Sequence, residues 1–402
     1  MTQQKTGKLA EVAQRLLFGD DKFTDIHFES DRPVMMRRAQ REWVPVLDGD
    51  EPVEVSHHDI LEFVHASLED GAPLPSPQSA KPGWLNELFT RGSLHYARGF
   101  GDAKQSCRLR CTVQLQFMRE SIGLVMRKLT KVPDSLESLG LPAQVGAMLH
   151  GATSGLIVVT GPTGSGKSTT LAAMINEINA QRYANILTLE DPIEFEHERK
   201  KSIINQRELE LDFATFHQGV RDALRFVPDV MLIGEIRDAE TMRAVLRAGE
   251  SGHLVLTSMH ASTSVGAIKK MLSYVADNPG DAQALAGCLV GVVGQALVRE
   301  RDGDGSALVY EYLDVHGEPA VPAAIMAFAS DQSGRELSAI DDKLRAGGLG
   351  RSLPMVRSAR ELANQKKIDP LRAAGALTHP EDRKAFLAMA TVAGAGASGR
   401  AR

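Results

Sequence analysis

Nine residues, Gly161 to Thr169 (GPTGSGKST), constrain this chain more than any others. They follow at once on Leu156 to Thr160 (LIVVT), an apolar run of strand length, and lead into Thr170 to Ala180, where apolar residues recur at helical spacing. A glycine-rich turn between a buried strand and a helix lets backbone N–H groups curl around phosphate, with the positive end of the helix behind them. In that context Lys167 reaches the β and γ oxygens of a nucleoside triphosphate, and the Ser168 hydroxyl is placed to ligate magnesium. Gly161, Pro162, Thr163, Gly164, Ser165, Gly166, Lys167, Ser168 and Thr169 are therefore the expected nucleotide-binding residues, with ATP and Mg2+ as ligands.

The sequence around the motif supports an α/β fold. From Gly155 onward, apolar runs of four to six residues alternate with helical stretches, as expected of a parallel sheet covered on both faces. The predicted strands are Leu156 to Thr160, Ile186 to Leu189, Val230 to Ile233 and Leu254 to Thr257. Ligands in such sheets gather at the carboxyl ends of strands, which is where Glu190-Asp191 and Val230 to Glu235 bring carboxylates. Hydrolysis needs a group that orients water and charges that stabilise the transferring phosphoryl group. His253 and His260 bracket the fourth strand; His260 is expected to face the γ-phosphate, and for His253 a core role and a site role stay open.

The preceding part reads differently. Phe23 to about Val46 alternates short apolar runs with turns, and a helix is expected over His58 to Leu68. Cys107 to Phe117 alternates strictly, with Arg108 and Arg110 on the polar side, and Glu120-Ser121 turns into a second strand at Ile122 to Met126. A smaller α+β domain over 1–130 is thus expected before a nucleotide-binding domain over 131–320. An alanine-rich helical segment over 321–392, with a helix near Leu353 to Lys366, and a disordered tail over 393–402 complete the expected order.

Composition narrows the function. A net charge of -5 gives no bulk attraction to nucleic-acid backbones, and aromatic residues at 5% leave few stacking platforms. The three cysteines, Cys107, Cys111 and Cys288, lack the CxxC spacing of a structural zinc site and are expected to be reduced thiols. Neither a signal segment at the start nor a span long enough for a bilayer is seen, the apolar run Ala284 to Val298 being short and glycine-rich. A cytoplasmic protein that meets a membrane only through partners is expected.

Together these segments resemble the secretion and pilus-retraction motor ATPases, the superfamily typified by PilT and GspE. The resemblance rests on Val158 to Ala172 as Walker A, Ile186 to Glu196 as an acidic box, Pro228 to Asp238 (PDVMLIGEIRD) as a Walker B variant with Gly234 before Glu235, and Gly252 to His260 (GHLVLTSMH) as a histidine box. It implies a RecA-like P-loop domain after a PAS-like N-terminal domain, Glu235 and Glu190 in catalysis and in water or magnesium positioning, Ser168 and Glu235 at the metal, and His260 sensing phosphate. Arg108, Arg110, Arg119 and Arg127 match a basic strand pair that in the family faces the neighbouring subunit's nucleotide, so Arg110 and Arg119 are candidate catalytic arginines acting in trans. A solvated sheet face is the other reading of them, and Arg221, Arg225 and Arg237 lie near the Walker B segment.

By the same resemblance the chain forms a homo-hexamer at the cytoplasmic face of an inner-membrane secretion, conjugation or pilus complex. Phe23 to Phe28, Leu308 to Leu313, and Gly350-Arg-Ser with Ala363 to Ile368 are more similar to the DotB and TraJ branch of type IVB secretion and conjugal transfer. A pilus-retraction ATPase, a RecA-like nucleic-acid translocase and a nucleotide-gated adaptor without turnover are the competing readings.

Overall fold

The computed structural model describes residues 7–19, 23–38, 42–69, 72, 74–75, 81–101, 106–128, 131–302, 305–331 and 334–388. The expected tail over 393–402 lies outside the described residues. The chain divides into two units, Met1–Thr130 and Lys131–Arg402.

In the first unit a six-stranded antiparallel sheet runs in the order Trp43–Pro45, Met35–Arg38, Phe23–Glu29, Ser121–Lys128, Ser106–Gln116, Ser93–Gly101. Alternation places one face in the core, with Ile26, Phe28, Leu109, Cys111, Val113, Leu124 and Met126 all buried. The helices Lys8–Phe18 and His57–Leu68 carry apolar residues into that same core. The second helix starts where Ser56 and Asp59 form a reciprocal cap, the Asp59 N–H donating to Ser56 Oγ at 3.1 Å and the Ser56 N–H to Asp59 Oδ2 at 2.7 Å.

The second unit is built on a seven-stranded sheet in the order Ile203–Glu208, Asn185–Glu190, Val230–Ile233, Leu254–Met259, Gly155–Thr160, Leu289–Arg299, Ser306–Asp314. All neighbours are parallel except the last pair, an antiparallel addition at one edge. The four predicted strands are the centre of this sheet. Two apolar clusters cover its two faces, as continuous apolar runs require. The run Ala284 to Val298 is the end of the helix Pro279–Cys288 followed by the strand Leu289–Arg299, and no helix among the described residues is long and apolar enough to cross a membrane. The C-terminal helices include Met355–Asn364 and Pro370–Ala376, which form a cluster with Val298, Ala307 and Val309 of the last two strands.

One buried acid in this framework sets a pH dependence. Glu311, on the last strand, accepts a hydrogen bond from the Ser264 backbone N–H at the start of the helix Ser264–Tyr274. Burial pushes its carboxyl up to about 7; the Ser264 bonds work against the shift, and Asp341 and Asp382 add to it. A carboxyl raised above its ordinary 4.5 in the folded state contributes stability at pH below 4.5, and that contribution is lost as pH rises through about 7. Glu311→Gln keeps an acceptor for Ser264 and removes the titration. Thermal unfolding across pH 5 to 8 should therefore show the variant gaining on the parent as pH rises, by on the order of 2 kcal/mol; an unchanged pH profile contradicts the assignment.

Candidate active site

The phosphate loop leaves the fully buried strand Gly155–Thr160 and enters the helix Lys167–Gln181. Gly164 and Gly166 have φ of 77° and 85°, a region that favours glycine, and a Cβ on Gly161 would lie 2.2 Å from the Gln295 carbonyl. The loop thus follows a path that needs glycine, by conformation at Gly164 and Gly166 and by close approach to the neighbouring strand at Gly161. Lys167 is buried inside it, its Nζ donating to the carbonyls of Gly161 and Pro162 at 3.0 Å each. Ser168 stands exposed at the first turn of the helix.

Gln295, which sequence reasoning passed over, clamps the loop from the neighbouring strand. Its Nε2 donates to the Ser165 carbonyl at 2.6 Å and its Oε1 accepts from Thr170 Oγ1 at 2.9 Å. A lone amide within the apolar run Ala284 to Val298 was the signal available for it.

The carboxyl ends of three strands bring the acidic and basic groups to Lys167. His260 lies between Lys167 and Glu235, with Nδ1 3.4 Å from Lys167 Nζ and Nε2 3.3 Å from Glu235 Oε1. An ammonium has only donors, so Nδ1 accepts and the imidazole proton sits on Nε2, facing the carboxylate. Thr160 fixes this arrangement: its Oγ1 donates to the Ala261 carbonyl and accepts from the Ala261 N–H, both at 3.0 Å. Arg237 holds the other oxygen of Glu235 at 3.1 Å and reaches Asp191 at 3.0 Å. Burial opposes the charge on Arg237, but the hydrogen bond and charge of Glu235, then Asp191, raise its pKa overall. Burial lowers the pKa of Lys167, against the opposing charges of Glu235 and Glu194. Glu194 is the second residue that sequence reasoning did not single out.

Glu190 is placed apart from this chain of contacts. Its Oε1 accepts from Thr188 Oγ1 at 2.6 Å and from Gln206 Nε2 at 3.1 Å. Burial pushes its carboxyl up to about 7 despite those two bonds, a value suited to proton exchange near neutral pH. The glycine before Glu235 has a packing reason, since a Cβ on Gly234 would sit 3.3 Å from the Leu189 carbonyl of the adjacent strand. His253 accounts for itself locally, its Nδ1 lying 3.1 Å from the Ala248 carbonyl and from Ser251 Oγ. Cys111 and Cys288 are buried thiols pushed up to about 12 by burial, which leaves them unreactive near neutral pH.

Two cavities flank the loop. One of about 610 Å3 opens beside Gly166, Thr169 and Thr170, with Leu139, Leu297 and Tyr310 among its apolar walls and Glu361 at its rim. The other lies on the side of Pro162 to Ser165. Among the described residues no cluster of three or more His, Cys, Asp or Glu could cage a metal. The exposed Ser168 hydroxyl and the Glu235 carboxylate are oxygen donors of the kind magnesium takes, one or two at a time, together with waters and substrate phosphates.

In the first unit, pairing sets Arg37, Asp25, Arg127, Arg110 and Ala97 side by side across five strands. Asp25 is buried and pairs with Arg127 at 2.7 Å and with Arg37 at 3.8 Å. One carboxylate thus meets two guanidiniums, and Arg110, half-buried beside them, forms no ion pair among the described residues. The Arg119 side chain lies outside the described residues, in a hairpin turn where Phe117 and Met118 both have positive φ.

A family model described as "Type II/IV secretion system protein" matches residues 104–336. The chain is 38% identical over 253 residues to the uncharacterized protein YggR of Escherichia coli, covering 61% of this chain and 76% of that one. It is 40% identical over 204 residues to the type IV pilus retractation ATPase PilT of Pseudomonas aeruginosa, covering 50% of this chain and 57% of that one. Among solved structures, the pilus retraction motor PilT with bound ADP superposes with a TM-score of 0.76 at 29% identity, over 94% of this chain and 98% of that chain. The ATPase DotB of Legionella pneumophila superposes with a TM-score of 0.69 at 22% identity, over 90% of this chain and 92% of that chain, a likeness of fold.

Proposed function

The chain belongs to the type II/IV secretion system protein family, and from that premise we propose that this P-loop ATPase works as a homo-hexameric ring powering a secretion, conjugal-transfer or pilus machine at the cytoplasmic face of the inner membrane. The observation that carries the catalytic part is the run of contacts from the cradle to the acid: Lys167 Nζ, His260, Glu235 Oε1. Lys167 meets the β and γ phosphates, Glu235 organises the attacking water, and His260 couples the two, so that a change at the γ-phosphate is felt at the carboxylate. Glu190, Glu194 and Asp191 complete the acidic side. Ser168 and Glu235 would hold magnesium, which would supply charge neutralisation at the phosphoryl oxygens. The cavity beside Thr169, lined by Leu139, Leu297, Tyr310 and Glu361, is the site proposed for adenosine, with apolar walls for the base and a carboxylate for its polar edge.

Likeness to the PilT motor over 94% of the chain supports pilus retraction as the second reading of the machine served. The DotB likeness is one of fold, and the branch similar to type IVB secretion and conjugal transfer stays our first reading on the segments that suggested it.

The basic row of the first unit supplies the trans contribution. A guanidinium at the transferring phosphoryl group is worth on the order of 1,000-fold to 100,000-fold in rate. Arg110, with Arg119, is proposed to reach the nucleotide of a neighbouring subunit. An Arg110→Ala, Arg119→Ala double variant keeps its own cradle, and Lys167→Ala keeps its arginines. An equimolar mixture is expected to recover ATP turnover that neither shows alone. No recovery after confirmed subunit exchange would place these arginines in cis or on a solvated face.

A further inference from the structure

From Leu289 to Val298 the strand carries a single polar side chain, Gln295, and that side chain is buried. Parallel pairing sets Thr160 beside Gly294, so Gln295 stands next to the point where the chain leaves its strand for the phosphate loop. A buried amide is unfavourable unless its donors and acceptor find partners. Both ends of this one bond to the loop region. Nε2 donates to the Ser165 carbonyl at 2.6 Å, and Oε1 accepts from the buried Thr170 hydroxyl at 2.9 Å. The two bonds bracket Gly166, Lys167, Ser168 and Thr169.

The bond to Ser165 fixes an orientation as well as a position. A trans peptide aims its N–H opposite to its carbonyl, so drawing the Ser165 carbonyl toward Gln295 turns the Gly166 N–H away from that strand. Gly166 has φ of 85°. Glycine takes negative φ about as readily, so its own backbone does not oppose a turn of the peptide between Ser165 and Gly166. A turned peptide puts a carbonyl where the N–H stood, and a carbonyl repels phosphate. The amide of Gln295 therefore selects one of two orientations open to the loop.

We infer that Gln295 is a positioning residue for nucleotide binding. It holds the Ser165–Gly166 peptide in the orientation that offers an N–H to phosphate, and through Thr170 it fixes the helix start that carries Lys167 and Ser168. The inference rests on the reading of this loop as an ATP site. Its effect falls on binding more than on chemistry, because the loop holds the phosphates both before and during transfer. The groups assigned to chemistry are held by other partners, Glu235 by Arg237 and His260. A chain whose loop is only fractionally in the competent orientation binds more weakly by that fraction.

Gln295→Met keeps the length of the side chain and removes the amide. Calorimetry on the full chain with ADP and with a non-hydrolysable ATP analogue, beside steady-state turnover, reads the consequence. Affinity for both nucleotides should fall by about 10-fold, near the contribution of one hydrogen bond. KM for ATP should rise by a similar factor, with kcat within about threefold of the parent. Thr170→Val removes one of the two bonds and serves if Gln295→Met does not fold; it should weaken binding by about threefold, and Thr170→Ser should recover most of that loss. Added to Gln295→Met, Thr170→Val should cost less than it does in the parent, since its partner is already gone. An amide with only a structural role would lower the Tm and leave the KM of the folded protein unchanged. Parent affinity and KM in both variants, or a fall in kcat at the parent KM, overturns the inference. A parent chain that binds neither ADP nor the analogue overturns the reading of the loop as an ATP site, and the role of Gln295 with it.

Discussion

Lys167→Ala is expected to abolish ATP binding while leaving the fold intact. The ammonium contacts the carbonyls of Gly161 and Pro162 and the imidazole of His260, all within the cradle. Its partners are polar groups of a ligand site and Lys167 belongs to neither apolar cluster of the sheet, so its loss leaves both clusters intact. Removing it deletes charge-assisted bonds to two phosphates, a loss of about 100-fold or more in affinity. Calorimetry with ATP reads the result directly, and circular dichroism confirms the fold. Affinity close to that of the parent would show that the backbone of the loop alone supports binding.

Glu235→Gln is expected to separate binding from chemistry. The amide keeps the shape of the side chain and can still meet Arg237 and His260, but it cannot carry the negative charge that organises the attacking water. ATP should bind and persist. Turnover should fall by about 100-fold to 10,000-fold, the range for removal of a positioned acid–base group. If the variant turns over at the parent rate, Glu235 is a structural partner of Arg237, and Glu190, whose carboxyl burial holds near 7, becomes the base.

The parts of this molecule legible in the sequence are those whose signal is local. A glycine-rich turn between a buried strand and a helix is written in consecutive residues, and so are the four central strands, whose apolar runs are bounded by polar turns. The alternation that marks Cys107 to Phe117 likewise becomes the strand Ser106–Gln116. What was not legible depends on residues far apart in sequence. Ile203–Glu208 is an edge strand with mixed polarity, and its place is fixed only by pairing with Asn185–Glu190. Glu194 and Gln295 act at the cradle only because the sheet order brings their segments beside it. Arg237 sits two residues from Glu235 and could be suspected from proximity, but its bridge to Asp191 crosses between two strands and has no sequence signature. The run Ala284 to Val298 concealed a change from helix to strand, because apolar residues and glycines continue across the junction and periodicity cannot divide them.

We propose that hydrolysis occurs in a ring whose sites neighbouring subunits complete. ATP turnover per chain, measured by phosphate release over a wide range of protein concentrations alongside the oligomeric state, is the deciding measurement. The expected result is turnover that rises steeply as rings form and then levels off. Constant turnover per chain down to concentrations at which the chain is monomeric, or ATP bound without turnover at any concentration, would contradict it.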